Sequence, residues 1–233
     1  MQPRLATLER MNTPAGAMPA SLVPVNPLEH PGWDDLVGTH PEGSFFHGTA
    51  WARVLHDTYG HVPTYFSQSS GGRLDGLFSV MEVSSPWTGR RGVALPFTDL
   101  CPPLTTADQS RAELFDRALE HGRSRRWKYL ECRGGVSRWP GASPSLTYYA
   151  HILDLTVGEA ALLAGTESAV RRGIRKSERA DLSVRFSNSL ESVRDFFELH
   201  CQTRRRHGLP PQPYRFFENI GRHAIQPGQT ERS

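Results

Sequence analysis

Two β-rich runs, Val62–Gln68 and Leu74–Ser84, flank the tetrapeptide Ser-Ser-Gly-Gly at 69–72. β-branched and aromatic residues suit a pleated surface, and paired glycines supply the backbone of a tight reversal, so this segment predicts a β-hairpin. A hairpin alone is marginal in water, which commits the neighbouring chain to covering it. The turn 88–91 leads to a third strand, Gly92–Phe97. Residues 107–127 then place apolar side chains at 112, 115, 118 and 119, the spacing of an amphipathic helix that begins near Ala107 or Asp108.

Lys128–Arg133 and Leu146–Leu155 read as two more strands, separated by a Pro/Gly/Ser-rich loop over 134–145. Upstream, Ser21–Val25 reads as a short strand, Pro31–Gly38 as a short helix, and His47–Gly60 as a longer helix closed by its glycine. Alternation of this kind implies an α/β (α+β) layered architecture rather than a bundle or a sandwich.

From residue 158 the pattern begins again. A helical segment is followed by a strand at Leu182–Phe186 and a helix from Leu190 to His207, with Asn188 and Glu191 spaced as a capping box and Gly208 and Pro210 as the stop. A last helix spans about Pro213 to His223. Leu190, Val193, Phe197 and Cys201 share one face, with Phe196 beside them, while Phe216, Phe217 and Ile220 form a second apolar surface. A strand and two helices cannot close a sheet, so these faces are expected to pack partly on the first domain. With 233 residues, the chain exceeds one typical domain and falls short of two. The expected organisation is a loose tail over 1–20, a first domain over 21–156, the start of a second over 157–223, and a polar tail over 224–233.

No window approaches the 18 or so consecutive apolar residues of a membrane span, and the first nineteen residues lack the apolar block of a signal peptide. A reducing cytoplasm is therefore the expected compartment. Cys101, Cys132 and Cys201 fit neither a disulfide framework nor a CxxC metal site, and read as small buried hydrophobes.

Charge is distributed unevenly. The net is only +3, but residues 168–215 carry eleven basic against five acidic groups. Within SAVRRGIRKSER (168–179), a helix sets Val170 and Ile174 together and gathers Arg171, Arg172, Arg175, Lys176 and Arg179 within an arc of about 140° on the opposite side. The pairs 171/175, 172/176 and 175/179 repel by about 1 kcal/mol together in an isolated helix. Such a face is either screened by water and salt, or it holds a phosphate or carboxylate on its guanidinium forks. The run Thr203–Gly208, with Arg205 at its centre, also complements the dipole of a helix end.

Other chemistry finds little support. QSSGGR (68–73) joins strand to strand and so is a hairpin turn, not a phosphate loop. His56 and His61 lack the partner pair of a metal site, no GxSxG elbow is present, and the basic tract does not interleave aromatics as single-strand binders do.

The ordered set WARVLHDTYGHVPTYF (51–66), GLFSVMEVSS (76–85), ALPFTDLCPPL (94–104), VRRGIRKSER (170–179) and TRRRHGLPPQPYRFF (203–217) resembles the FemAB-like branch of the GNAT acyltransferases. That resemblance implies one complete GNAT-like mixed-sheet domain followed by an incomplete second one, with a substrate groove and no permanently bound cofactor. It implies acyl-CoA or an aminoacyl-tRNA as donor substrate. The acceptor would be an amine on an anionic cell-envelope or exopolysaccharide precursor, either a sugar nucleotide or a lipid-linked unit, with peripheral membrane contact. Arg172, Arg175 and Lys176, with Arg171 and Arg205, would hold the anion, while Phe97 and Asp99 would form the groove wall. Asp99, Glu131 and Tyr214 stand equally as candidate bases. The chain departs from the family after the opening of the second domain and lacks an R/Q-x-x-G-x-G/A pyrophosphate loop, so a truncated product with little activity is also expected. A noncatalytic anion- or nucleic-acid-binding module, or a subunit completed by a partner chain, is the alternative.

Overall fold

The computed structural model describes residues 24–105, 108–134, 143–180, 183 and 185–226. Two compact units make up the chain: Met1–Ser145 with Asn188–Ser233, and Leu146–Ser187.

The larger unit is built on the hairpin. Strands β1 (Val62–Ser70) and β2 (Arg73–Ser85) pair antiparallel through a turn in which Gly71 and Gly72 both take positive φ, 55° and 77°. Strand β3 (Gly89–Ala94) and the two-residue β4 (Leu104–Thr105) both pair antiparallel with β2, and β5 (Leu130–Glu131) pairs parallel with β3. The sheet is therefore mixed, in the order β1-β2-β3-β5, with β4 also on β2.

Period-2 alternation sends successive side chains to opposite faces, and each face is covered by helix. On one side Phe66, Phe78, Val80, Ala94 and Leu130 pack against Leu114, Ala118 and Leu119 of helix α3 (Asp108–Ser124) and against Trp127. Leu114, fully buried, belongs to that helix stripe and was absent from the expected set. Gly92 is required here, because a Cβ at that position would lie 2.3 Å from the Trp127 ring. On the other side Tyr65, Leu77 and Met81 meet helices α1 (Trp33–Gly38) and α2 (Thr49–Tyr59). Gly60 ends α2 in the left-handed region at φ 69°, as its place in the sequence predicts.

The polypeptide returns to this unit at residue 188. Helix α6 (Leu190–Arg206, the first of the chain's later pair) and the short Tyr214–Ile220 helix pack together, the latter inserting Phe216 into the core beside Trp51. A π turn, Gly221–Ile225, extends order into the expected polar tail and buries Ala224. Asn219 Nδ2 donates to Thr58 Oγ1 at 3.0 Å, and His223 Nε2 lies 2.9 Å from Asp57 Oδ2, tying this end of the chain to α2.

Several expectations are corrected. The third strand begins earlier than Gly92 and stops at Ala94, because Leu95 and Phe97 adopt positive φ and leave the ladder. Strand β5 occupies only two residues of Lys128–Arg133. Leu146–Leu155 forms no strand, and among the described residues no neighbouring ladder satisfies its backbone. Residues 182 and 184 of the strand expected at Leu182–Phe186 lie outside the described residues, and 183, 185 and 186 carry no strand. The cap of α6 is Ser189, whose Oγ accepts from Ser192 N at 3.2 Å, rather than Asn188. Of the expected strand Ser21–Val25, residues 21–23 lie outside the described residues, and Val25 makes an isolated bridge to Tyr65.

The smaller unit comprises an irregular run over 146–157 and two helices, α4 (Glu159–Gly165) and α5 (Ser168–Glu178), with no buried side chain among its described residues. Following α6, the Tyr214–Ile220 helix is α7. Among the described residues no helix is long and apolar enough to cross a membrane.

Candidate functional site

The edge of β2 explains the main irregularity of the larger unit. Ala94 pairs with Val80 and Leu104 with Leu77, so only Phe78 and Ser79 separate the two ladders on β2. The other chain spans the same interval with residues 95–103, an excursion that bulges from the sheet. Its start is a tight turn in which both Thr98 N and Thr98 Oγ1 donate to Leu95 O, at 3.3 and 2.7 Å. Arg133 holds its far side: the guanidinium donates to Thr98 O and is paired to Glu131 at 2.8 Å, while Arg133 O accepts from Cys101 N.

Phe97 sits on this excursion at φ 66° and is 44% exposed. A bulky residue in the left-handed region costs about 1–3 kcal/mol. Its ring stacks on Tyr59 with centroids 5.2 Å apart at 21°, and it meets Phe216 at 4.9 Å. Two such contacts contribute about 1–3 kcal/mol beyond area burial and so offset the strain. Tyr59 stacks in turn on His61, at 5.3 Å and 21°. The result is a shelf of rings drawn from the end of α2, the excursion and α7.

The shelf is uncharged at neutral pH. Burial, with the positive charge of Arg91 as a lesser cause, lowers the His61 imidazole to about 4, and burial raises the Tyr59 phenol to about 12. Asp99 and Leu100 stand exposed beside Phe97. The arrangement suits a planar or apolar ligand group next to one that donates hydrogen bonds to a carboxylate.

Behind the excursion, Cys101 Sγ lies 4.0 Å from His47 Nε2, and His47 Nδ1 lies 2.9 Å from Ser44 Oγ. The order Ser-His-Cys suggests a nucleophile, but burial raises the thiol to about 12 and lowers the imidazole to about 4. Both groups are neutral, and the thiol is a packed one as its sequence context predicts. Glu131 is engaged by Arg133, and the Tyr214 ring packs against Phe197 and carries the Arg194 guanidinium at 5.6 Å. A shallow depression of about 240 Å³ on α3, lined by Arg117, Glu120, His121 and Ser124, contains none of the expected residues.

In the smaller unit, α5 exposes both of its faces. Val170 and Ile174 are 48% and 37% exposed, and no residue of the helix is buried. Arg171 donates to Ala164 O and Thr166 O, closing the end of α4, and Arg172 donates to Ser168 Oγ at 3.2 Å. Arg175, Lys176 and Arg179 remain exposed. Arg205 belongs instead to the larger unit, exposed in the last turn of α6.

Thus Phe97 and Asp99 lie together on one loop, whereas the five other expected residues divide between α5 and α6. Tyr59, His61 and Phe216 were missed as parts of the shelf. Their sequence signals were a helix stop at Gly60 and an apolar helix face, both of which read as structural.

No family model matches this chain, and no curated protein matches it. Among solved structures, the crystal structure of FemX superposes with a TM-score of 0.62 at 18% identity, covering 88% of this chain and 55% of that one. The chain thus spans little more than half the length of FemX and shares its mixed α/β, GNAT-like fold.

Proposed function

We propose that this chain is a FemAB-like acyl- or aminoacyltransferase, working in the cytoplasm on an amine of an anionic cell-envelope or exopolysaccharide precursor. The observation that carries this reading is the fold shared with FemX over 88% of the chain. The ordered motifs from Trp51 to Phe217 point the same way.

In this reading the ring shelf of Phe97, Tyr59 and His61 offers a stacking surface to a flat or apolar group, and Asp99 beside it accepts hydrogen bonds. Arg172, Arg175 and Lys176 serve the phosphates or carboxylates of the acceptor, where guanidinium forks bind bidentately. Arg171, already engaged at the end of α4, contributes charge rather than a free fork. Transfer proceeds by attack of the acceptor amine on the carbonyl carbon of a thioester or ester. The C–N bond forms, the C–S or C–O bond breaks, and the amine proton passes to solvent or the leaving group. Orientation and backbone donors facing the developing oxyanion supply most of the acceleration in such a reaction.

Calorimetry with a uridine-diphosphate amino sugar tests the reading: binding is expected, and is expected to be lost in Arg175→Ala/Lys176→Ala. Full-strength binding in that double variant overturns the acceptor site. A transfer assay with acyl-CoA or aminoacyl-tRNA tests the donor separately. The largely exposed cationic face of α5 favours a second reading, a noncatalytic polyanion-binding module. Its signature is affinity for nucleic acid that falls steeply with salt and no saturable binding of sugar nucleotides.

A further inference from the structure

A second concentration of charge lies in the larger unit. Residues 83–91 and 121–130 together contain Arg90, Arg91, Arg123, Arg125, Arg126 and Lys128, and no aspartate or glutamate. These segments are separate in sequence, and the fold brings them to one end of the sheet. Lys128 N donates to Arg90 O at 2.9 Å, and a Cβ at Gly89 would lie 2.8 Å from Lys128 Cε, so the lysine stem crosses the start of β3. Glu82 stands nearby on β2, and Arg125 takes it bidentately at 2.7 and 3.0 Å while Trp127 Nε1 donates to it at 2.7 Å. Glu82 is bound by those partners and also lies within reach of the Arg90 charge, while Arg123, Arg126 and Lys128 meet no acid within the two segments.

At the tip of the β2–β3 turn stands Trp87, 93% exposed. The turn beneath it is fixed: Trp87 N and Thr88 N both approach Ser85 Oγ, at 3.3 and 3.4 Å, and Arg91 Nη1 donates to Thr88 Oγ1 at 2.8 Å. A large apolar ring held in water by a built turn, flanked by Arg90 and Lys128, both exposed, is the composition of a contact surface. The geometry points to an anionic phospholipid bilayer as the occupant, with Trp87 seated at the headgroup level and Arg90, Arg123, Arg126 and Lys128 serving the lipid phosphates. Tryptophan prefers that interface because its ring is apolar and its N–H requires a wet partner. Charge complementarity supplies the rest, since each cation near an anionic leaflet is worth about fivefold in partition. Nucleic acid fits less well. Single-strand binders stack successive bases on several aromatics, whereas here Trp127 is buried, Tyr129 is half-buried and Trp87 stands alone.

The test is co-sedimentation of the full chain with phosphatidylcholine vesicles, with and without phosphatidylglycerol, at physiological ionic strength. Partition is expected only onto the anionic vesicles, with a blue shift of tryptophan emission that is missing in Trp87→Ala. Trp87→Ala and the double variant Arg123→Glu/Lys128→Glu are each expected to lower partition by about tenfold or more. Both alter exposed side chains, and an unchanged thermal midpoint identifies them as folded. Three outcomes overturn the inference: no partition onto anionic vesicles, equal partition of wild type and both folded variants, or tighter binding of single-stranded RNA than of the vesicles.

Discussion

The ring of Phe216, on α7, lies 4.9 Å from the ring of Phe97 on the excursion that interrupts the sheet edge. A residue near the end of the described chain therefore holds in place a loop that left the sheet far earlier. Phe216 is itself buried and also touches Trp51 and Tyr59, so α7 works as a wedge between α2 and the excursion.

Strain at Phe97 separates two substitutions that look alike. Phe97→Ala removes the ring but keeps the strain of a side chain at positive φ, whereas Phe97→Gly removes both the ring and that strain. The glycine variant is expected to be the more stable of the two by about 1 kcal/mol, read from urea midpoints at equal m.

Truncation at Phe216 is a larger loss. Phe216→Ala is expected to cost about 3–5 kcal/mol in denaturant unfolding, as for other buried phenylalanines. Limited proteolysis should then release the chain after α6 ahead of the rest.

Acid should unfold the protein in two stages. His47 and His61 are both lowered to about 4 in the fold. The unfolded chain, with imidazoles near 6.5, then binds more protons between about pH 6.5 and 4, so stability is full above that window and falls through it. Glu82, held below the usual carboxylate range first by its hydrogen bond from Arg125, adds a further loss once the pH drops below the unfolded carboxylate value. A series of urea midpoints from pH 8 to pH 3 checks the shape, and His61→Gln should flatten part of the upper stage.

The cap of α6 gives a contrast between neighbours. Ser189→Ala is expected to cost about 1 kcal/mol, because Ser189 Oγ accepts from Ser192 N, while Asn188→Ala is expected to be near neutral. Equal effects would restore the capping box built on Asn188 and Glu191.

Cys101 should resist a thiol reagent in the native state. Burial keeps its thiol at about 12, so alkylation at pH 8 followed by mass spectrometry is expected to modify it only when denaturant unfolds the chain.

Much of the fold was legible because its signals are local. Val62–Ser85 announced a hairpin through alternation around Gly71 and Gly72, and Gly60 announced the end of α2, since those backbone conformations belong to particular residue types. The apolar residues of α6 and α7 announced packing on the first domain, which Phe216 performs. The failures fall where a non-local partner decides. Leu146–Leu155 has the composition of a strand, yet among the described residues no neighbouring strand satisfies its backbone, and GVALPF stops at Ala94 because rings from α2 and α7 hold Phe97 outside the ladder.

The hairpin, the helices that flank it, the mixed α/β layering and the crowding of cations on α5 followed from the amino-acid sequence, because periodicity and turn chemistry act over a few residues. Where the ring shelf lies, and that Arg90 and Lys128 share one end of the sheet with Trp87, only the tertiary structure decided. Those groupings depend on strand pairing and on contacts between residues far apart in the chain, whose free energy no local window contains.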